Sequence, residues 1–248
     1  MSIAAAILFS TRMFQNVQKQ VKVSSPALNT VSLNQHETAL AEKQGIMLDH
    51  KLLNVPLIAQ MSAPKLYNGC EVTSLAMILN YNGYLVTKNE LAEKIKTVPL
   101  TYSNGLKGNP NMGFVGDIDD GPGYAAYNGP IYDLAKQYAG DKVVNLTSST
   151  FIDLLKTVSN GQPVWVITTS SFAPVSDFVK WQTPQGSVDV TFSEHSVVIT
   201  GYDSNYIYIN DPYGFKNRKI NRANFERAWE QLGSQGIFIK KTRRLASP

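Results

Sequence analysis

A chain of 248 residues with 43% hydrophobic and 17% charged side chains can bury one sizeable core, and its composition is that of a globular protein rather than a disordered one. One cysteine excludes an intramolecular disulfide framework, and three scattered histidines (His36, His50, His195) beside a single thiol give no zinc spacing, so no metal and no cofactor is expected. The formal charge of +4 is mild, and the basic residues are dispersed except for Lys240, Lys241, Arg243 and Arg244, which read as a solvated tail at 242–248 and its approach. Contact with an anionic wall polymer, membrane surface or nucleic acid is the functional alternative for that cluster, and no nucleic-acid partner is expected.

In chain order, the run Ile3-Ala4-Ala5-Ala6-Ile7-Leu8-Phe9 is too short to span a bilayer and lacks a basic segment before it, so it reads as a clipped signal or anchor remnant and no stable membrane span is expected. Residues 14–44 are polar, without a sustained apolar period, which is linker composition. Together they make an N-terminal segment over 1–51, and the folded domain is expected over 52–241. An extended entry segment at 54–60 leads to the first strong helix, where Val72, Leu75, Ala76, Ile78 and Leu79 recur at helical spacing and Gly83 sits as a C-cap. Thr87-Lys88-Asn89-Glu90 matches a capping box for a second helix ending near Lys96, Pro130 opens a third through Ala139, and Thr150 a fourth ending near Gly161.

The segment 101–129 carries seven glycines (105, 108, 113, 116, 121, 123, 129) among asparagines and reads as a long loop that lines or covers a site. Its Asp117-Ile118-Asp119-Asp120-Gly121 run is not an EF-hand, because the twelfth position is Asn128 rather than a bidentate glutamate, and irregular calcium binding stays the alternative for it. After Pro163 strands dominate, at 164–168, 188–192, 195–201 and 206–210, followed by a late helix from Asn221 and a final strand at 237–239. Helices first and antiparallel strands later make an α+β domain.

The chemistry concentrates on Cys70, at the start of the first helix. Free N–H groups and the positive end of the helix dipole favour a thiolate there, and such sites bring a cysteine pKa to about 3.5–7.5. A thiolate nucleophile needs a base, and the base needs an orienting group at its other nitrogen. His195 begins one strand and Asp211 ends the next. The midpoint of the two lies in the turn-like Tyr202-Asp203-Ser204-Asn205, so a hairpin loop of about 3–5 residues sets them nearly opposite. Gln60, just upstream of the helix start, is the candidate side-chain amide for an oxyanion. Asn68, Gly69 and Glu194 are taken as substrate-binding positions.

Val55-Pro56 through Gln60, Asn68-Gly69-Cys70 with Thr73-Ser74-Leu75-Ala76-Met77, and His195-Ser196-Val197-Val198-Ile199-Thr200-Gly201-Tyr202-Asp203 with Asn210-Asp211-Pro212 resemble the stand-alone bacterial branch of the bacteriocin-leader-processing cysteine peptidases, cysteine-peptidase family thirty-nine. The similarity runs from about Leu53 to Lys240 and includes Gly108-Asn109-Pro110-Asn111 and Gly113-Phe114-Val115-Gly116-Asp117. It implies a papain-like fold with the nucleophile helix packed on a C-terminal antiparallel sheet, and a thiol hydrolase acting on a peptide or protein. In it Cys70 matches the nucleophile, His195 the base, Asp211 the orienting residue and Gln60 the oxyanion donor. The chain departs from transporter-linked members in having no P-loop, since no Gly-Lys dipeptide occurs. Members of the stand-alone branch look like secreted or envelope proteins of Gram-positive bacteria, which adds cell-wall contact to the expected partners. The same machinery would serve a wall-peptide amidase or a thiol acyltransferase or transpeptidase, and a peptide-binding module with a vestigial site would keep the fold without the reaction.

Overall fold

The computed structural model describes residues 47–241. The expectations for the apolar run 3–9, the linker 14–44 and the tail residues Arg243 and Arg244 lie outside the described residues.

Helix α1 (Cys70–Tyr81) is the axis of the fold. Every residue from Cys70 to Leu79 is buried, so the helix has no solvent face and is held by packing on all sides rather than along one stripe. It ends where Gly83 takes a φ of 87°, and a Cβ there would meet nothing, so the left-handed backbone alone calls for glycine. Helix α2 (Lys88–Lys94) starts from Thr87, whose Oγ1 accepts the Glu90 N–H at 3.0 Å, and it stops two residues short of the expected Lys96. The reciprocal half of the expected capping box is replaced, because the Glu90 carboxylate bonds Lys94 and the Tyr138 hydroxyl instead. Helices α3 (Asn128–Ala139), α4 (Phe151–Ser159) and α5 (Arg222–Gln231) follow at their expected places, α4 closed by a Thr150–Asp153 capping box.

The main sheet runs β10–β9–β8–β5–β11–β4, antiparallel throughout. Its strands are β4 (Val143–Asn145), β5 (Val164–Thr169), β8 (Glu194–Tyr202), β9 (Tyr206–Asp211), β10 (Phe215–Asn221) and β11 (Gly236–Ile239). All six residues of β5 are buried, so both faces of the sheet centre are covered. On it the ring of Phe151 packs at a tilt against those of Phe225 and Trp229, the Phe151–Trp229 centroids lying 5.4 Å apart. The entry segment at 54–60 takes no place in a sheet. Instead β1 (Lys51–Leu52) pairs with the far end of β8, close enough that a side chain at Gly201 would strike the Lys51 carbonyl.

The 101–129 segment is mostly irregular, as its composition suggests, but it is anchored. Within it β3 (Phe114–Val115) pairs in parallel with β2 (Thr97–Val98). The segment also leans on a separate hairpin, β6 (Val179–Thr183) and β7 (Gly186–Val190), where the Lys107 N–H bonds the Gln182 carbonyl at 2.8 Å and Tyr124 packs against Trp181 at 5.0 Å. Asp117 Oδ1 accepts the Asp119 N–H at 2.8 Å, so this carboxylate serves a turn.

Candidate active site

The turn before α1 brings Cys70 against Ser196 of β8, inside the sheet order rather than at its edge. At Gly69 a Cβ would lie 2.5 Å from that of Leu66, so glycine is required for the chain to fold back on itself before the helix starts. Asn68 faces the long loop. Its Nδ2 donates to the carbonyls of Asp117 at 2.8 Å and Gly121 at 3.0 Å, while the backbone N–H groups of Tyr67 and Asn68 bond the carbonyls of Asp119 and Ile118. Local structure therefore already occupies both of these expected substrate-binding positions. Gln60 is buried in the same turn, its Nε2 donating to the carbonyls of Leu66 at 3.2 Å and Tyr67 at 3.3 Å, and its Oε1 buried without a partner. Its backbone N–H bonds the Pro212 carbonyl at 2.8 Å, which joins this turn to the end of β9.

His195 and Asp211 meet, though by a different register from the expected one. Strands β8 and β9 are joined by a three-residue loop, Asp203 to Asn205, and a bulge at Thr200 shifts the pairing so that Val198 faces Asn210. Continuing that register puts Asp211 opposite Val197, two positions along from His195 on the same face, so the pair is diagonal rather than directly opposed. The two side chains span the diagonal, with Nε2 at 2.9 Å from Oδ1. Asp211 is fully buried and takes two further donors, the Tyr213 N–H on Oδ1 and Arg218 Nη1 on Oδ2, each at 3.0 Å. Burial pushes its carboxyl up, but the bond and charge of His195, the Tyr213 N–H and Arg218 outweigh burial and hold it below the ordinary aspartate value.

With Nε2 committed, the open edge of the imidazole is Nδ1. The ring is fixed from one side by Tyr213, stacked at 4.6 Å and 12°, with Phe172 at 6.3 Å. Phe172 holds a φ of 55°, an uncommon conformation for a bulky residue, and its ring lies under the Arg218 guanidinium at 4.8 Å. One residue beyond His195, the Ser196 backbone N–H reaches the Cys70 sulfur, and the Ser196 carbonyl accepts the Ser74 hydroxyl at 3.1 Å. Strand β8 and helix α1 are thus pinned together where thiol and imidazole sit.

The surroundings of the sulfur depart from the expectation of a lowered thiol pKa. Burial pushes the Cys70 thiol well up, and the charges of Glu71 and Glu194 push the same way, against the single Ser196 N–H. The helix start is therefore outweighed. Glu71 is fully buried: its Oε2 accepts the thiol of Cys70 at 3.3 Å and its Oε1 the Ala126 N–H at 2.7 Å, while its backbone carbonyl takes Trp165 Nε1 at 3.0 Å. Burial raises its carboxyl from 4.5 to about 7. Glu194, expected on the substrate side, points into this cluster. Its Oε1 is shut off from water without a hydrogen bond, and burial together with the Glu71 charge pushes it well above the usual carboxylate range. Ligand atoms of Cys70, Glu71 and Glu194 lie within 4.8 Å of one another, and among the described residues these are the ones near enough together to hold a metal ion.

Sequence reasoning missed Glu71, Arg218 and Tyr213. A glutamate in a first helical turn reads as a solvated partner of the helix dipole. Arg218 and Tyr213 belong to a strand and turn that the polar sequence after Pro212 does not announce.

Comparison with known proteins agrees with this architecture. Residues 52–237 match the model of the "Peptidase_C39 like family". The uncharacterized protein YvpB of Bacillus subtilis (strain 168) is 54% identical over 223 residues, covering 88% of this chain and 89% of that protein. The crystal structure of a candidate C39-like peptidase from Bacillus anthracis superposes with a TM-score of 0.76 at 45% identity, over 79% of this chain and 99% of the other. The chain belongs to the Peptidase_C39 like family, and its α+β fold is that of a C39-type cysteine-peptidase relative.

Proposed function

We propose that this protein is a papain-like cysteine peptidase that cleaves peptide bonds through an acyl-enzyme on Cys70. The observation that carries the reading is the fixed imidazole: Asp211 holds His195 Nε2 at 2.9 Å, which leaves Nδ1 as the nitrogen to take the thiol proton, on the residue next to the Ser196 whose backbone faces Cys70. In the reaction the Sγ proton passes to Nδ1 as sulfur attacks the substrate carbonyl carbon. Asp211, kept ionised and backed by Arg218, stabilises the imidazolium that results. The oxyanion meets the Cys70 backbone N–H, a first-turn donor with no partner inside the helix, and the Gln60 amide once its Nε2 turns from the carbonyls it now bonds. Collapse of the tetrahedral intermediate breaks the C–N bond, and the imidazolium gives its proton to the leaving amine. Water, deprotonated by the same nitrogen, then hydrolyses the thioester.

Because the resting thiol is pushed up, the sulfur does not wait as a thiolate, and attack is coupled to proton transfer. A peptide or protein is the proposed substrate, encountered outside the cell or at its envelope. The test is mass spectrometry of the protein after incubation with a peptide or wall-fragment library. As Cys70 is the chain's one cysteine, a thioester adduct has a single address, and hydrolytic turnover should vanish in Cys70→Ala. An adduct resolved only by amines would make the protein an acyltransferase. Retained turnover in Cys70→Ala, or binding of peptides without any adduct, would overturn the proposal.

A further inference from the structure

The mechanism above makes no use of the two carboxyls beside the thiol, although Glu71 is bonded to it. Resting on the reading of Cys70 as nucleophile, we propose that Glu71 is a positioning residue: backed by Glu194, it holds the Sγ proton on its Oε2 in the free protein, and through Ala126 it ties that proton to the docking of the 101–129 segment.

One carboxylate joins the two. Oε1 takes the Ala126 N–H at 2.7 Å from the end of the long loop, and Oε2 takes the thiol at 3.3 Å. A thiol proton donated to Oε2 is not donated to the imidazole, so the S–H has to turn about its Cβ–Sγ bond before Nδ1 can receive the proton. Glu194 prevents Glu71 from being an ordinary buried acceptor. One of its oxygens lies within 4.8 Å of a Glu71 oxygen and of the Cys70 sulfur, and its Oε1 is unbonded; two desolvated carboxyls so close keep one proton between them. Among the described residues the other titratable groups facing the cluster bring no compensating cation: Tyr124 and Tyr127 from the loop side, Tyr213 after β9, and His195, itself committed to Asp211. The Arg218 guanidinium is likewise spent on Asp211. With one negative charge already beside the sulfur, a second on the thiolate is disfavoured until a substrate carbonyl takes the sulfur's electrons. The free protein then carries a quiet thiol, protected from alkylation and oxidation, inside an otherwise assembled site.

The test is the pH dependence of iodoacetamide alkylation of Cys70 in the full chain, with Glu71→Gln, Glu194→Gln and thermal midpoints alongside. Glutamine at 71 keeps an oxygen for the Ala126 N–H and removes the charge. The expected result is a downward shift of the alkylation midpoint, with Glu71→Gln alkylated at pH 6.5 about tenfold faster or more, which corresponds to one pH unit. Glu194→Gln should move the same way by less, since it acts on the thiol through charge alone. A folded Glu71→Gln protein with the wild-type profile would reduce Glu71 to a structural pin for Ala126 and overturn the proposal. If Glu71→Gln does not fold, Glu194→Gln decides, an unmoved profile overturning it. Alkylation needs no peptidase activity, so a shifted profile without acyl adducts would defeat the enzyme reading and leave the carboxyl control standing.

Discussion

Asp211 receives three donors at once, from the His195 ring, the Tyr213 backbone and Arg218, and its orienting and structural roles predict different behaviour on substitution. Asp211→Ala should slow acylation by at least about tenfold, and adding it to His195→Ala should cost little more, because groups acting as a unit lose most of their effect at the first deletion. Asp211→Asn should fall between, since its amide oxygen still accepts from the imidazole and from Tyr213. Single-turnover acylation and thermal midpoints measured together separate the roles: near-normal acylation in a folded Asp211→Ala protein would remove Asp211 from the mechanism. Removal also withdraws a buried acceptor, a loss of about 1–3 kcal/mol. The sign with pH follows from its lowered carboxyl. The stabilisation is complete above the unfolded aspartate pKa and is lost as pH falls through the folded one. Glu71 behaves oppositely. Its carboxyl is raised from 4.5 to about 7, so between those values the native state binds more protons than the unfolded chain, and stability declines as pH rises through that window. Thermal midpoints at pH 5 and pH 8 should therefore differ less in Glu71→Gln than in the wild type, and an unchanged difference would show that Glu71 does not titrate there.

At the scale of elements, the start of α1 and the 101–129 segment behave as one unit. Asn68 supplies two of the bonds between them, and Gly123 allows the loop to pass, since a side chain there would strike the Asp117 carbonyl. Asn68→Ala should cost about 1–2 kcal/mol and speed amide exchange in residues 117–124 ahead of the sheet. Uniform exchange across the domain would show that the loop is not held from Asn68. How far such features were readable from sequence depended on whether burial left a period. Helices α1 to α5 were legible because caps and apolar spacing coincide, as at Thr150, and the long loop was legible from its glycines. Strand β10 was not, because Phe215–Asn221 is an exposed edge carrying lysine, arginine and asparagine, and its polar composition matches that of a turn. Arg218 was lost with it. The juxtaposition of His195 and Asp211 was legible as a hairpin, but the bulge at Thr200 that makes their contact diagonal has no sequence signature. Glu71 was hidden for the converse reason: its meaning lies in burial by residues distant in the chain, Ala126 and Glu194, which local spacing cannot report.

For the whole molecule, the absence of any solvent face on α1 decides how the fold comes apart. The first ten residues of the helix are buried between the loop side, helices α2 and α3 and strands β5 and β8, so the element that carries Cys70 is also the core on which the sheet is assembled. Trp165 ties the two directly through its bond to the Glu71 carbonyl. A cavity in the middle of α1 should therefore weaken site and sheet together. Leu75, fully buried in the same cluster as Trp165, Val197 and Leu79, is the place to make one, and Leu75→Ala should destabilise by about 2–5 kcal/mol. At roughly 2–4 °C per kcal/mol for a domain of this size, the midpoint should fall by about 4–20 °C. Two probes should follow one transition in denaturant: tryptophan fluorescence, which samples Trp165 in β5, Trp181 in β6 and Trp229 in α5, and the exposure of Cys70 to alkylation. Their midpoints should coincide in the wild type and move equally in Leu75→Ala. If Cys70 became reactive at a denaturant concentration where the tryptophans were still native, the nucleophile end of α1 would be opening as a local unit with the loop pinned to it. The helix would then be a core element only from Val72 onward.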